Sequence, residues 1–132
     1  CCKDGWFSYR GHCYFIDLGI KLSFPAARIY CLNLGADLVQ LETIAENNFL
    51  KGYLKKIEAK HAWIGLNDMT HEGIWRWYGT NEHATFSDWT PGQPDNAMNI
   101  EDCVHFNHYH YFKWNDFPCR NLVAPFCETD QI

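Results

Sequence analysis

A chain of 132 residues, 47% hydrophobic, 17% aromatic and 20% charged, can bury a proper core as a single domain over 1–132 and is short for a two-domain enzyme. Its net charge of -5 argues against a sequence-independent grip on phosphate backbones, so nucleic acid is not an expected partner. No apolar run approaches the ~20 residues that span a bilayer, which excludes membrane insertion through such a run. Seven cysteines point to an oxidising compartment and so to secretion, and an opening on Cys1 rather than Met resembles a processed product. Spacing alone leaves the pairing open, and an odd count leaves one thiol over. Cys1 and Cys2 are adjacent and cannot easily serve one loop, so one could close a short hairpin with Cys13 while the other reaches a second chain.

Residues 6–16, WFSYRGHCYFI, are two aromatic-rich runs around Arg10-Gly11 and predict a hairpin. From Ser23, SFPAARIYCLNLG offers an N-cap serine, Pro25 in the first turn, apolar Ala27, Ile29, Tyr30, Leu32 and Leu34, and Gly35 as a stop; this predicts a first helix carrying Cys31. Thr43 and Glu46 have capping-box spacing ahead of Phe49, Leu50, Tyr53, Leu54 and Ile57, which share one face of a second helix. Lys51, Lys55 and Lys56 read as its solvated side. Beyond Lys60 come short aromatic pieces broken by Gly, Pro, Asn and Asp, which predict strands and long loops, hence an α+β fold. The stretch 79–100 exceeds the ~12–15 residues of ordinary structureless loops and needs a function or a metal to order it.

The chemistry concentrates in 93–116, QPDNAMNIEDCVHFNHYHYFKWND. Gln93, Asp95, Glu101, Asn115 and Asp116 are hard oxygen ligands, and a calcium ion takes about 6–8 such oxygens at roughly 2.3–2.6 Å. The places left could go to backbone carbonyls, water or ligand hydroxyls. A zinc enzyme is disfavoured: there is no H-E-x-x-H or C-x-x-C spacing, and His105, His108 and His110 share no helical or strand face. A hydrolase is disfavoured too, since none of Ser8, Ser23 and Ser87 lies in a G-x-S-x-G elbow.

An ordered set of residues resembles the C-type lectin-like domains over nearly the whole chain, from Cys2 to Glu128. It comprises Cys2 with Gly5-Trp6, Cys13-Tyr14, Cys31, Trp63-Ile64-Gly65-Leu66, Gln93-Pro94-Asp95, Glu101-Asp102-Cys103, Trp114-Asn115-Asp116, Cys119 and Pro125-Phe126-Cys127. The resemblance implies a non-enzymatic, calcium-dependent carbohydrate-binding domain of the secreted, single-domain kind found in invertebrates, an agglutinin or innate recogniser of glycans. It implies two helices with antiparallel strands and long calcium-ordered loops, and disulfides Cys2–Cys13, Cys31–Cys127 and Cys103–Cys119. Cys1 is then left for an interchain bridge and a disulfide-linked dimer. It also implies that the ion held by Gln93, Asp95, Glu101, Asn115 and Asp116 binds two neighbouring sugar hydroxyls while those side chains hydrogen-bond the same hydroxyls. Pro94 resembles the family's cis-proline, and Gln-Pro-Asp is the form associated with terminal galactose.

One departure bears on specificity. Galactose-type members carry a tryptophan two residues after the Asp, where this chain has Ala97. A ring from His105 or Tyr109, or from the neighbouring His108, His110 or Tyr111, is the expected substitute, and the departure admits an N-acetylhexosamine such as N-acetylgalactosamine. Asp68, Glu72, Asn96 and Asp102 resemble an auxiliary calcium site, with Glu101 shared. The competing reading is a protein- or mineral-binding member of the same fold without sugar activity.

Overall fold

The computed structural model describes residues 2–94 and 100–130. Its elements are β1 (Phe7–Tyr9), β2 (His12–Ile16), α1 (Phe24–Asn33), β3 (Asp37–Leu38), α2 (Ile44–Lys56), β4 (Ala62–Asn67), β5 (Arg76–Trp77), β6 (Cys103–Asn107), β7 (Lys113–Phe117) and β8 (Phe126–Asp130). They build two four-stranded sheets, ordered β1-β2-β8-β3 and β5-β4-β6-β7. The strand pairs are antiparallel, so the α+β expectation holds.

Local chemistry starts the predicted elements where it should. The β1–β2 turn places Arg10 and Gly11 at positive φ, 44° and 88°, the pair of conformations a two-residue hairpin loop requires. Ser23 caps α1 by accepting from the Ala26 N–H, and Thr43 caps α2 by accepting from the Glu46 N–H. The Glu46 carboxylate reaches back one residue beyond the usual capping box, to the Glu42 N–H at 2.8 Å, while its other oxygen accepts from the Tyr14 hydroxyl and so ties α2 to β2.

Of the apolar residues expected in α1, Ala27 is buried and Tyr30 and Leu34 are half-buried against the core. Phe24, Ala27 and Cys31 are buried, whereas Ile29 and Leu32 are exposed. Small residues and a cysteine let the helix approach β8 closely, and Cys31 is bonded there to Cys127. The other two bridges, Cys2–Cys13 and Cys103–Cys119, also match the pairs implied above. In α2 the expected face holds in part: Leu50 and Leu54 are fully buried, Tyr53 and Ile57 are half-buried, and Phe49 is exposed.

Trp63, Trp77 and Trp114 belong to the core, each at most 2% exposed. Gly65 shows why a side chain is excluded at one point of β4. A Cβ there would meet the Val39 carbonyl oxygen at 3.2 Å, and the Gly65 N–H donates to that same oxygen at 2.8 Å. Among the described residues no helix is long and apolar enough to cross a membrane.

Candidate carbohydrate and metal site

The long loop is fastened by a residue that sequence reasoning passed over. Asp88 accepts from Asn47 Nδ2 at 2.8 Å and Lys51 Nζ at 2.6 Å through one oxygen, and from Lys113 Nζ at 2.9 Å through the other. Burial would raise this carboxyl, but the hydrogen bonds from Lys51, Lys113 and Asn47 hold it below its ordinary range. Lys51 is therefore a half-buried ion-pair partner rather than plain solvated surface. From this anchor the backbone joins β7: Trp114 donates to the Asp88 carbonyl and Thr90 to the Trp114 carbonyl, both at 2.8 Å. The Trp114 indole N–H donates to Asn47 Oδ1 at 3.0 Å.

That junction brings Gln93 to the segment beside Asn115. Gln93 N–H donates to the Thr90 carbonyl at 2.8 Å, so Gln93 follows by one turn the segment bonded to the residue before Asn115. The Gln93–Pro94 peptide is cis, as the resemblance implied. Asp116, 0% exposed, lies opposite Val104 in the β6–β7 ladder, and Glu101 is half-buried two residues before β6. Asp95 lies outside the described residues, as do Asn96, Ala97 and Cys1.

The auxiliary set is gathered more fully. Ligand oxygens of Asp68, Glu72 and Asp102 all lie within 4.8 Å of one another. Asp68 N–H donates to the Asp102 carbonyl at 3.0 Å, and Gly73 N–H donates to Asp68 Oδ2 at 2.8 Å. The remaining buried oxygens, Asp68 Oδ1 and Asp102 Oδ1, have no hydrogen-bond partner. Burial, and then the neighbouring Glu72 and Asp102, push the Asp68 carboxyl well above its ordinary value against the opposing pull of the Gly73 N–H. Three hard-oxygen carboxylates packed this closely repel unless a cation or a proton lies among them. The donor set fits calcium.

One expected ring platform, His105, is buried. His105 is 1% exposed, in contact with His61, Trp63 and Phe117; burial drives its imidazole down to about 3, and it cannot meet a sugar. The reason is that every residue of β6 is buried, with both faces covered, so alternation does not apply. Tyr109 is 75% exposed, but it stands in the turn after β6, at the opposite end of that strand from Glu101 and Asp102. A five-residue strand separates them by about 13 Å. The rings that do line a groove are Trp75 and Trp89, 5.0 Å apart, above Trp114 in a hollow of about 580 Å³. They drew no notice in the sequence because the two lie 14 positions apart; their approach depends on the Asp88 anchor.

The fold has counterparts among known proteins. The family model for the lectin C-type domain matches residues 20–129. The chain belongs to the C-type lectin domain family. Perlucin from Haliotis laevigata is 35% identical over 133 residues, covering 99% of this chain and 84% of perlucin. A C-type lectin from Micrurus corallinus is 37% identical over 134 residues, covering 96% and 82%. Among solved structures, the mouse scavenger receptor C-type lectin carbohydrate-recognition domain superposes with a TM-score of 0.89 at 28% identity, covering 99% of this chain and 98% of that one. A C-type lectin domain is a carbohydrate-binding unit without enzymatic activity.

Proposed function

We propose that this C-type lectin domain binds terminal galactose or N-acetylhexosamine in a calcium-dependent way, outside the cell, as a disulfide-linked dimer. The observation that carries the reading is the gathering of oxygen donors at one end of the β4–β6–β7 sheet. There the Asp68–Glu72–Asp102 cluster has two buried, unpartnered oxygens, and the cis Gln93–Pro94 turn follows the segment bonded beside Asn115 and Asp116.

Gln93, Asp95, Glu101, Asn115 and Asp116 would hold the first ion, and Asp68, Glu72, Asn96 and Asp102 the second. A bound calcium ion supplies open coordination places that accept the lone pairs of two neighbouring sugar hydroxyls. The protein then selects stereochemistry through its own atoms. A carboxylate such as Glu101 accepts a hydrogen bond from a sugar hydroxyl, and the amides of Gln93 and Asn115 donate to the hydroxyl oxygen, so the order of acid and amide fixes which diol fits. Asp88 keeps these donors in register without touching the sugar. The Trp75–Trp89 groove supports an apolar contact to the sugar or its substituent in place of the tryptophan missing at Ala97.

The test is affinity chromatography on immobilised galactose and N-acetylgalactosamine. Retention in calcium and elution by a chelator is the expected result; retention that persists in chelator would sink the metal-dependent reading. Calcium should also raise the melting temperature, since a ligand at about 100 times its Kd adds roughly 2.7 kcal/mol to stability.

Valence follows from weakness. One metal-bridged monosaccharide buries little apolar surface, so its Kd should be near millimolar, about -4 kcal/mol. Joining two sites raises avidity by about 10²–10⁴ where geometry permits. With the six other cysteines paired, Cys1 is the residue for that link. Non-reducing electrophoresis should show about twice the 15.5 kDa chain mass, collapsing on reduction. Cys1→Ser should weaken agglutination far more than binding of free sugar, and equal loss of both would remove the dimer from the mechanism.

A further inference from the structure

Beside β5, a second cavity of about 320 Å³ is lined by Arg76, Asn67, His71 and Asn81, with Met69 and Ile74 among its apolar lining. Its volume reaches the lower end of the roughly 300–1,000 Å³ of small-ligand sites. Among the described residues no carboxylate lines it, in a chain of net charge -5.

The molecule's treatment of two arginines sets Arg76 apart. Arg28 is fully provided for: its Nε and Nη2 donate to the two Asp37 oxygens, each at 3.1 Å, and its guanidinium lies 4.0 Å over the Tyr78 ring. Arg76 forms no ion pair among the described residues, and its Nε is buried without a hydrogen-bond partner. A buried donor left unpaired costs about 1–3 kcal/mol, more when the group is charged. A guanidinium is always protonated and presents a planar fork that matches two oxygens of a sulfate, phosphate or carboxylate.

Position holds this side chain at the cavity. Arg76 is paired with Asn67 across β4 and β5, and the Asn67 amide donates to the Arg76 carbonyl at 3.4 Å, so strand hydrogen bonds fix its root. The acid cluster begins one residue on from Asn67, but Asp68 is turned toward Gly73 and Asp102 and does not line the cavity. The space is larger than an inorganic oxyanion needs, and apolar Met69 and Ile74 offer surface to a ring carrying one.

We propose that this cavity binds the oxyanion of an acidic saccharide, a sugar bearing a sulfate ester or a carboxylate, with Arg76 as the residue that recognises it. The site uses none of the calcium ligands and does not rest on the galactose reading. The test uses the whole chain and its Glu101→Gln variant in chelator, which silences the calcium site, and follows the Arg76 Nε–H resonance by nitrogen–proton NMR. Galactose 6-sulfate and galacturonic acid are titrated separately, against galactose and inorganic sulfate. The expected result is a saturable shift with an acidic sugar and none with galactose; the sugar that produces it identifies sulfate ester or carboxylate as the source. Arg76→Gln should weaken that binding by roughly 10- to 100-fold, the worth of a charged hydrogen bond, with Arg76→Lys intermediate because a point charge lacks the fork. An unmoved Arg76 resonance, or unchanged affinity in Arg76→Gln, would overturn the site. Equal affinity for inorganic sulfate would overturn the saccharide assignment.

Discussion

Glu101→Gln should abolish retention on a galactose column while leaving the calcium-free melting temperature unchanged. The substitution keeps the volume of a half-buried side chain and removes one negative charge and one acceptor at the junction of the two proposed ion sites. Loss of an outer partner of a metal ligand typically costs about 10- to 100-fold, and loss of a ligand that also accepts a hydrogen bond from a sugar hydroxyl should cost at least the upper figure. From a millimolar starting point that places monosaccharide binding beyond detection. Isothermal titration with galactose and with calcium, run separately, reads the two losses apart. Calcium-dependent agglutination surviving the change would show that this carboxylate takes no part in the site.

Replacing both Cys31 and Cys127 by alanine should produce the largest loss of stability of any disulfide deletion here. The bridge joins α1 to β8 across a sequence separation of 96, against 11 for Cys2–Cys13 and 16 for Cys103–Cys119. In the chain-entropy model its closure is worth about 4.7 kcal/mol, and the Cys2–Cys13 closure about 3 kcal/mol. Domains of this kind have only about 5–15 kcal/mol in total, so the long bridge accounts for a third or more. Both sulfurs belong to buried residues packed with Phe24, Ala27 and Trp63, and their removal also leaves a small cavity. Urea denaturation of the three double-alanine chains should therefore rank Cys31–Cys127 first by roughly 2 kcal/mol over Cys2–Cys13. Equal losses would mean that local packing, not loop closure, sets the value of these bridges.

The sequence by itself determined what depends on near neighbours. Ser23 and Thr43 start the helices because a capping side chain reaches only two or three residues along the chain. Arg10-Gly11 turns the hairpin because its backbone conformation is a property of two residues. The cysteine pairs and the oxygen-rich 93–116 stretch were legible through resemblance to a family whose residues fall in the same order.

What only the tertiary structure decided depends on partners far apart in the chain. Asp88 became the anchor of the long loop through residues 41, 37 and 25 positions away, and no local pattern marks such an acid. His105 was one of several rings close in sequence to the missing tryptophan, but every residue of β6 is buried and His105 packs against His61, Trp63 and Phe117, contacts that come from other strands and loops. In α1 the list of apolar residues did not tell Ala27, which is buried, from Ile29 and Leu32, which are exposed; which side of the helix meets β8, where Cys31 is bonded to Cys127, is settled by the packing of distant elements. Arg76 drew no reading from the sequence, and among the described residues it forms no ion pair; whether a charge is paired is a question of distance in space, and the sequence records distance only along the chain.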